Sequence, residues 1–128
     1  MNDAPQLLDG DDDVWRITIP GLPPDPRRAH WGVVSRAKRQ WTELLTYLPA
    51  ARAVPKVRDT ERRGVHVTFY RPGPESDVDN AHSRLKVPLD ALKRAGLIVD
   101  DAPTWVDVTC ATVPSGRTRT VIELRRAV

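Results

Sequence analysis

The sequence predicts a single α+β domain: a mixed sheet with helices packed on it, in the order β-α-β-α-β-β. This prediction depends on several segments with period-two alternation, two segments with apolar residues at helical spacing, and proline- or glycine-rich breaks between them. A chain of 128 residues is the size of one typical domain, and it shows no internal repeat. We expect residues 14–128 to form this domain, preceded by a disordered acidic segment at residues 1–13.

The first half of the chain predicts a strand, a proline-rich loop and a helix. The strand covers residues 14–20, and the three prolines of GLPPDPRR then indicate a loop because they cannot donate backbone hydrogen bonds. The helix covers about residues 33–48, and we expect a mobile, basic loop between Pro49 and Pro55. The apolar positions are Trp15, Ile17 and Ile19 in the strand and Val34, Ala37, Trp41, Leu44, Leu45 and Leu48 in the helix.

The second half predicts a strand, a helix and a β-hairpin. The stretch GVHVTFYR alternates from Gly64, and PGPE breaks it before a helix that ends near Ala95. Pro88 cannot donate to the carbonyl of Arg84, so we expect a kink there. WVDVTCATV and RTRTVIELR both alternate and are joined by a PSG turn, which predicts the hairpin. The apolar positions are Val65, Val67 and Phe69 in the strand and Ala81, Leu85, Leu89 and Leu92 in the helix.

Composition and charge narrow the classes of function. Cys110 is the only cysteine, which excludes an intrachain disulfide and a cysteine-based zinc cage within one chain. No apolar run approaches the ~20 residues that span a bilayer, and the acidic N-terminus lacks a secretory signal, so we expect a cytoplasmic protein with no membrane partner. Ten Lys or Arg lie within residues 27–63. Such a block suits a polyanion, although a solvated helix face and loop give the same pattern.

Two carboxylates lie one residue apart where the second predicted helix begins. In an extended segment Asp77 and Asp79 point to the same face, where without a cation they would repel each other. A divalent ion such as Mg²⁺ or Mn²⁺ removes that conflict, because it prefers carboxylate oxygens. Further on, Asp100 and Asp101 are adjacent, so only one of them should join such a site. The polar stripe that follows Asp79 at helical steps is His82, Lys86, Asp90 and Lys93.

These residues also have simpler interpretations. Asp79 or Asn80 could cap the helix, because both residue types are favoured at that position. The lysines could be solvated, and the later aspartate pair could begin a turn. A calcium loop is excluded, because counting from Asp77 finds His82 and Pro88 where such a loop requires glycine and glutamate. Only the combination of these features favours a metal site.

The segment DVDNAHSRLKVPLDALKRAGLIVDDAPTWVDV, residues 77–108, resembles the RusA family of Holliday junction resolvases. The family pattern is Asp-x-Asp-Asn, a lysine, Asp-x-Leu, Ala-Gly and Asp-Asp, and ITIPGLPP is a weaker second match. The resemblance implies a homodimeric, Mg²⁺-dependent endonuclease that resolves four-way DNA junctions by phosphodiester hydrolysis in recombination and repair. It implies that Asp77, Asp79 and Asp101 bind the metal. Lys86, four residues before Asp90, corresponds to the catalytic lysine.

One spacing departs from the family pattern. Lys86 lies three residues further from Asp79, which moves it about 4.5 Å along a helix and leaves His82 and Arg84 as alternatives for the basic role. A nuclease for other branched DNA, a non-catalytic DNA-binding module and a small protein-interaction domain remain alternatives to a resolvase. The candidates for contacts with the DNA backbone are Arg27, Arg28, Arg36, Lys38 and Arg39.

Overall fold

The computed structural model describes residues 14–73 and 78–126, with the side chains of residues 14–73 and 81–126. The acidic segment at residues 1–13 lies outside this part of the chain, so its predicted disorder stays a prediction. The described elements are β1 (Val14–Pro20), α1 (Trp31–Tyr47), α2 (Pro49–Arg52), β2 (Arg63–Arg71), α3 (Val78–Arg84), α4 (Lys86–Arg94), β3 (Val106–Pro114) and β4 (Arg119–Arg126).

The strands form one mixed sheet in the order β1-β4-β2-β3, which confirms the predicted α+β class. β4 is antiparallel to both β1 and β2, whereas β3 is parallel to β2. Because parallel neighbours need a long crossover, the chain passes through α3 and α4 between β2 and β3. This crossover carries Asp79 near the beginning of α3, and Asp100 and Asp101 follow the end of α4.

The predicted hairpin of β3 and β4 is wrong, because β2 lies between these two strands. The turn that joins them crosses the end of β2, where the Ser115 N–H donates to the Arg71 carbonyl at 2.8 Å. Alternation identifies a strand but not its partner. Burial separates the two positions: Ile122 and Leu124 of the central strand β4 are fully buried, whereas β3 is an edge strand in which only Val106 is buried.

The core lies between one face of the sheet and the helices. The predicted inward faces of β1, β2 and α1 are confirmed, since their central apolar residues are buried and the others pack against them. Each such side chain contributes roughly 1.5–3 kcal/mol when removed from water. The fully or almost fully buried members of these faces are Ile17, Ile19, Trp41, Leu45, Val65, Val67 and Phe69.

The loop expected between Pro49 and Pro55 is wrong in its first half, where residues 49–52 form the short helix α2. Pro49 is the first residue of that helix, a position at which the missing N–H costs nothing. Ala51 and Val54 are buried, which ties the segment to the core rather than leaving it mobile. None of the helices in the described part of the chain combines the length and apolar character needed to cross a membrane.

The predicted kink near Pro88 is confirmed as a break between α3 and α4 at Leu85. Pro88 is the third residue of α4, where it has no N–H for the carbonyl of Arg84 and its ring crowds that turn. The helix ends as predicted, with Ala95 as its C-cap and Gly96 at φ 80°, a conformation that glycine adopts without strain. The break makes Lys86 the first residue of a helix.

Candidate active-site cleft

A cleft of about 470 Å³ lies between the α3–α4 pair and the beginning of β3. Among the described residues, its charged and histidine side chains are His82 from α3, Lys86 from α4, Asp101 from the connection that follows and Asp107 from β3. The fold therefore brings Lys86 and Asp101 to one cavity. The remaining lining residues are Leu85, Leu89, Pro103, Val106 and Val108.

The two aspartates of DVDN fall at the edge of what the structure describes. Asp77 lies outside the described residues, and Asp79 is described only in its backbone, as the second residue of α3. The extended geometry expected through Asp79 is therefore wrong, because the helix begins at Val78. Since Asp79 and Asn80 both lie inside α3, neither occupies the cap position considered for them.

The two residues of the later aspartate pair have different surroundings. Asp101 is exposed and lines the cleft, whereas Asp100 turns towards Lys93, whose ammonium lies 3.2 Å from the Asp100 carboxylate. The Asp101 backbone N–H, which donates at 2.9 Å, and the Lys93 ammonium together lower the pKa of Asp100. The same ion pair raises the pKa of Lys93. Lys93 and Asp100 thus neutralise each other outside the cleft.

The rest of the predicted polar stripe does not form one surface. Asp90 pairs with Arg94 one turn along α4, at 2.9 Å. Lys86 makes no ion pair with any side chain that the structure describes, so its exposed ammonium can receive an external anion. Of the two alternatives for the basic role, only His82 lines the cleft, because Arg84 donates instead to the Pro23 carbonyl at 2.7 Å.

Cys110 and His82 lie close together beside the cleft, with 3.9 Å between Sγ and Nδ1. A cysteine beside a histidine can act as a thiolate nucleophile, but that chemistry requires a lowered cysteine pKa. Here burial raises the pKa of the Cys110 thiol. The cysteine therefore stays protonated at neutral pH and is not an activated nucleophile.

Arg62 is a residue of this site that the sequence analysis does not identify. Its guanidinium donates to the carbonyls of Pro103 and Thr104 at 2.6 and 2.8 Å, and it also pairs with Asp107. These contacts hold the backbone that follows Asp101. Nothing in the local sequence ERRG distinguishes such an arginine from a solvated one, because its partners lie about forty residues away.

The basic loop before α1 is attached to α3. Asp25 is buried and accepts the Arg27 N–H at 3.0 Å, while its own carbonyl accepts the N–H groups of Arg28 and Ala29. Burial opposes ionisation of Asp25, but the hydrogen bonds from Arg27, with smaller contributions from nearby arginine charges, lower its pKa overall. The Arg84 hydrogen bond to Pro23 joins the loop to α3. Arg27 and Arg28 are thereby presented next to the helix that carries Asp79.

The three basic candidates of α1 do not share one side of the helix. At 100° per residue, Arg36 and Lys38 point about 160° apart and Lys38 and Arg39 about 100° apart, whereas Arg36 and Arg39 lie only about 60° apart around the axis. Arg36 and Arg39 are exposed and Lys38 is half-buried. Arg36 and Arg39 are therefore the pair that a single duplex lying against α1 would contact together.

Among the described side chains, no group of three or more His, Cys, Asp or Glu residues is placed to hold a metal ion. Asp101 supplies an exposed carboxylate without an ion pair to any described partner, which is the kind of oxygen ligand that Mg²⁺ prefers. No model of a known protein family matches the chain, and a search of the curated proteins finds no match.

Proposed function

We propose that this protein is a metal-dependent endonuclease of the RusA type that cuts four-way DNA junctions. The observation that supports the proposal is the cleft in which Lys86 and Asp101 meet while Asp100 is withdrawn into an ion pair. Asp79 belongs to the helix that forms one wall of this cleft.

The proposed metal ligands are Asp77, Asp79 and Asp101, which would hold Mg²⁺ or Mn²⁺. When bound, such an ion polarises a phosphoryl oxygen and lowers the pKa of a water molecule. Asp101 fits this role because its carboxylate is exposed in the cleft, whereas Asp100 is engaged with Lys93. Arg62 acts as a positioning residue, since it holds the carbonyls that follow Asp101.

Lys86 is the proposed basic residue of the reaction. Its ammonium is exposed on the cleft and has no described anionic partner, so it can stabilise charge on the phosphoryl oxygens or the leaving group. His82 lines the same cleft and is the second candidate for this role. Arg84 is disfavoured because it binds the proline-rich loop.

The basic loop and part of α1 would contact the DNA backbone. Arg27 and Arg28 lie on the loop that Arg84 attaches to α3, and Arg36 and Arg39 lie on one side of α1. Contacts of this kind neutralise phosphates and position the nucleic acid without reading its sequence. The proposal includes a homodimer, because resolving a four-way junction takes two symmetric cuts. It also includes a cytoplasmic location.

The aspartate pair offers a matched test of the reaction. Asp101→Asn and Asp100→Asn make the same chemical change at adjacent positions, one in the cleft and one outside it. We expect purified wild-type protein to nick a synthetic four-way junction in Mg²⁺ or Mn²⁺. Asp101→Asn should lower the nicking rate by at least about 100-fold, because it removes an electrostatic contact to the reacting groups. Asp100→Asn should stay within about threefold of wild type, and both variants should still bind the junction.

Other results would indicate a different function. Equal nicking by Asp101→Asn and wild type would contradict the proposed site. Nicking of flaps or replication forks in preference to four-way junctions would indicate a nuclease for other branched DNA. Salt-sensitive DNA binding that no chelator affects, with no nicking in any divalent ion, would indicate a non-catalytic DNA-binding module. Absence of DNA binding at low salt would favour a protein-interaction domain.

A further inference from the structure

Trp31 is exceptional among the four tryptophans of the chain. Its side chain is 76% exposed, whereas Trp41 is buried in the core and Trp15 and Trp105 are half-buried. An indole that stays in water does not contribute most of the stabilisation that burial of a tryptophan provides. Tryptophan is nevertheless enriched at contact sites, because its ring offers a large apolar surface together with a polar N–H.

The backbone that presents Trp31 is held in place on both sides. Before it, buried Asp25 closes a turn by accepting the Arg27 N–H. Next to it, His30 caps α1 by accepting the Gly32 N–H through Nδ1 at 3.0 Å, and the rings of His30 and Trp31 lie 5.5 Å apart at an interplanar angle of 32°. The indole is thus presented by ordered backbone, so little entropy is lost when a ligand contacts it.

The surroundings of Trp31 are basic rather than apolar. Arg27 and Arg28, whose side chains are 50% and 70% exposed, lie just before it, and Lys38 follows two turns later on the same side of α1. A stable protein–protein interface requires roughly 800 Å² of each partner, far more than one indole offers. A single aromatic plane beside cations instead matches a nucleobase and its phosphates, as in proteins that bind unstacked nucleic acid.

We propose that Trp31 stacks on a nucleobase exposed at the branch point of the DNA, next to phosphates held by Arg27 and Arg28. The inference rests on the proposed function, and it explains how the protein would select a junction over a duplex. Base stacking is continuous along a duplex and is interrupted where strands exchange. A stacking residue therefore favours a junction over a duplex, while the arginines contact both alike.

The test compares exposed aromatic residues at the two ends of α1. Trp31→Ala removes the stacking surface, Trp31→Phe keeps an aromatic plane, and Tyr47→Ala removes another aromatic side chain, 71% exposed, about 24 Å along the helix. Binding of a fluorescent four-way junction and of a duplex of equal length is measured in chelator. Trp31→Ala should weaken junction binding about tenfold and duplex binding less than about twofold. Trp31→Phe and Tyr47→Ala should bind the junction within about threefold of wild type.

A second readout places the contact at the base itself. With 2-aminopurine at the branch point, wild type and Trp31→Phe should change its fluorescence in a way that Trp31→Ala does not. Unchanged junction binding by Trp31→Ala, equal loss for junction and duplex, or dissociation of a dimer in that variant would each overturn the inference. If wild type still nicks junctions in Mg²⁺, the proposed function survives those results. Conversely, a Trp31-dependent preference for junctions without nicking supports the stacking contact and contradicts the nuclease.

Discussion

Two buried charged residues, Asp25 and Arg63, hold two different loops of this protein, and they do so over very different distances along the chain. Asp25 is 5% exposed and Arg63 is 0% exposed. The aspartate accepts the Arg27 N–H two residues away and thereby closes a local turn. The arginine donates to the carbonyls of Pro55 and Leu97 at 2.8 and 3.0 Å, eight and thirty-four residues away. One buried charge shapes a local turn, and the other joins distant segments.

The distant contacts of Arg63 involve the connection that carries Asp101. Arg63 binds the Leu97 carbonyl, near the beginning of this connection, and its neighbour Arg62 binds the Pro103 and Thr104 carbonyls near the end. Two consecutive arginines at the start of β2 thus hold both ends of the segment between α4 and β3. Glu61 balances the charge of Arg63, with 3.0 Å between its Oε2 and the Arg63 Nε. The comparison predicts that losing Arg63 costs more than losing Asp25.

The largest effect is expected for Arg63→Ala. This change leaves Glu61 without its buried partner and two carbonyls without donors, and disruption of such a buried pair typically costs about 3–5 kcal/mol. The free energy of unfolding is measured by urea denaturation. Arg63→Lys should lose less stability, because its ammonium can donate to some of the same acceptors. The control is Arg117→Ala in the exposed turn before β4, where we expect a change below about 0.5 kcal/mol.

A loss of less than about 1 kcal/mol in Arg63→Ala would show that the long-range contacts are replaceable by water. If Arg63→Ala does not fold, the free energy of unfolding of Arg63→Lys is measured instead. A stability of Arg63→Lys equal to that of wild type would contradict the proposed importance of all three contacts.

The same contrast explains how much of the fold could be predicted from the sequence. Features that depend on neighbouring residues were predictable, such as the faces of β1 and β2, the break imposed by Pro88 and the stop at Gly96. Features that depend on distant partners were not. Alternation identifies β3 and β4 as strands, but only the crossover through α3 and α4 determines that β2 lies between them.

The same distinction between local and distant contacts applies to the candidate site. Asp101 lines the cleft and Asp100 pairs with Lys93, and the resemblance to a known family linked Lys86 to Asp101. Arg62 and Asp107 could not be found in this way, because their roles come from a contact between the start of β2 and the start of β3. A charged residue that binds distant backbone has the same local sequence signal as one that faces water.

An intermediate effect, with a characteristic pH dependence, is expected for Asp25. Burial opposes its ionisation, but the Arg27 hydrogen bonds, together with nearby arginine charges, lower its pKa below the ordinary 3.8. A carboxylate with a lowered pKa contributes stability above that ordinary value and loses it as the pH falls through the folded pKa. Asp25→Asn should therefore be less stable than wild type at pH 7, and the difference should shrink below about pH 3.8.

Thermal unfolding of both proteins between pH 7 and pH 3 measures this difference. Asp25→Ala, which also removes the acceptor for the Arg27 N–H, should cost about 1–3 kcal/mol at pH 7. Asp59→Asn, at an exposed aspartate with no ion pair to a described residue, is the control and should change stability by less than about 0.5 kcal/mol. A gap between wild type and Asp25→Asn that stays constant down to pH 3 would contradict the ionic contribution.

The smallest change in global stability is expected for Arg62→Ala, although its local effect should be clear. The side chain of Arg62 is 37% exposed and that of its partner Asp107 is 69% exposed, so their ion pair contributes little, and we expect a loss of about 1 kcal/mol. Hydrogen exchange should nevertheless speed up in residues 101–107, because the Pro103 and Thr104 carbonyls lose their donor. If the connection positions Asp101 for the proposed reaction, the nicking rate should fall more than junction affinity. Arg58→Ala, at an exposed arginine just before β2, should change neither exchange nor nicking. Unaltered exchange in Arg62→Ala would mean that Arg63 alone holds the connection, and the two arginines would then not act as a pair.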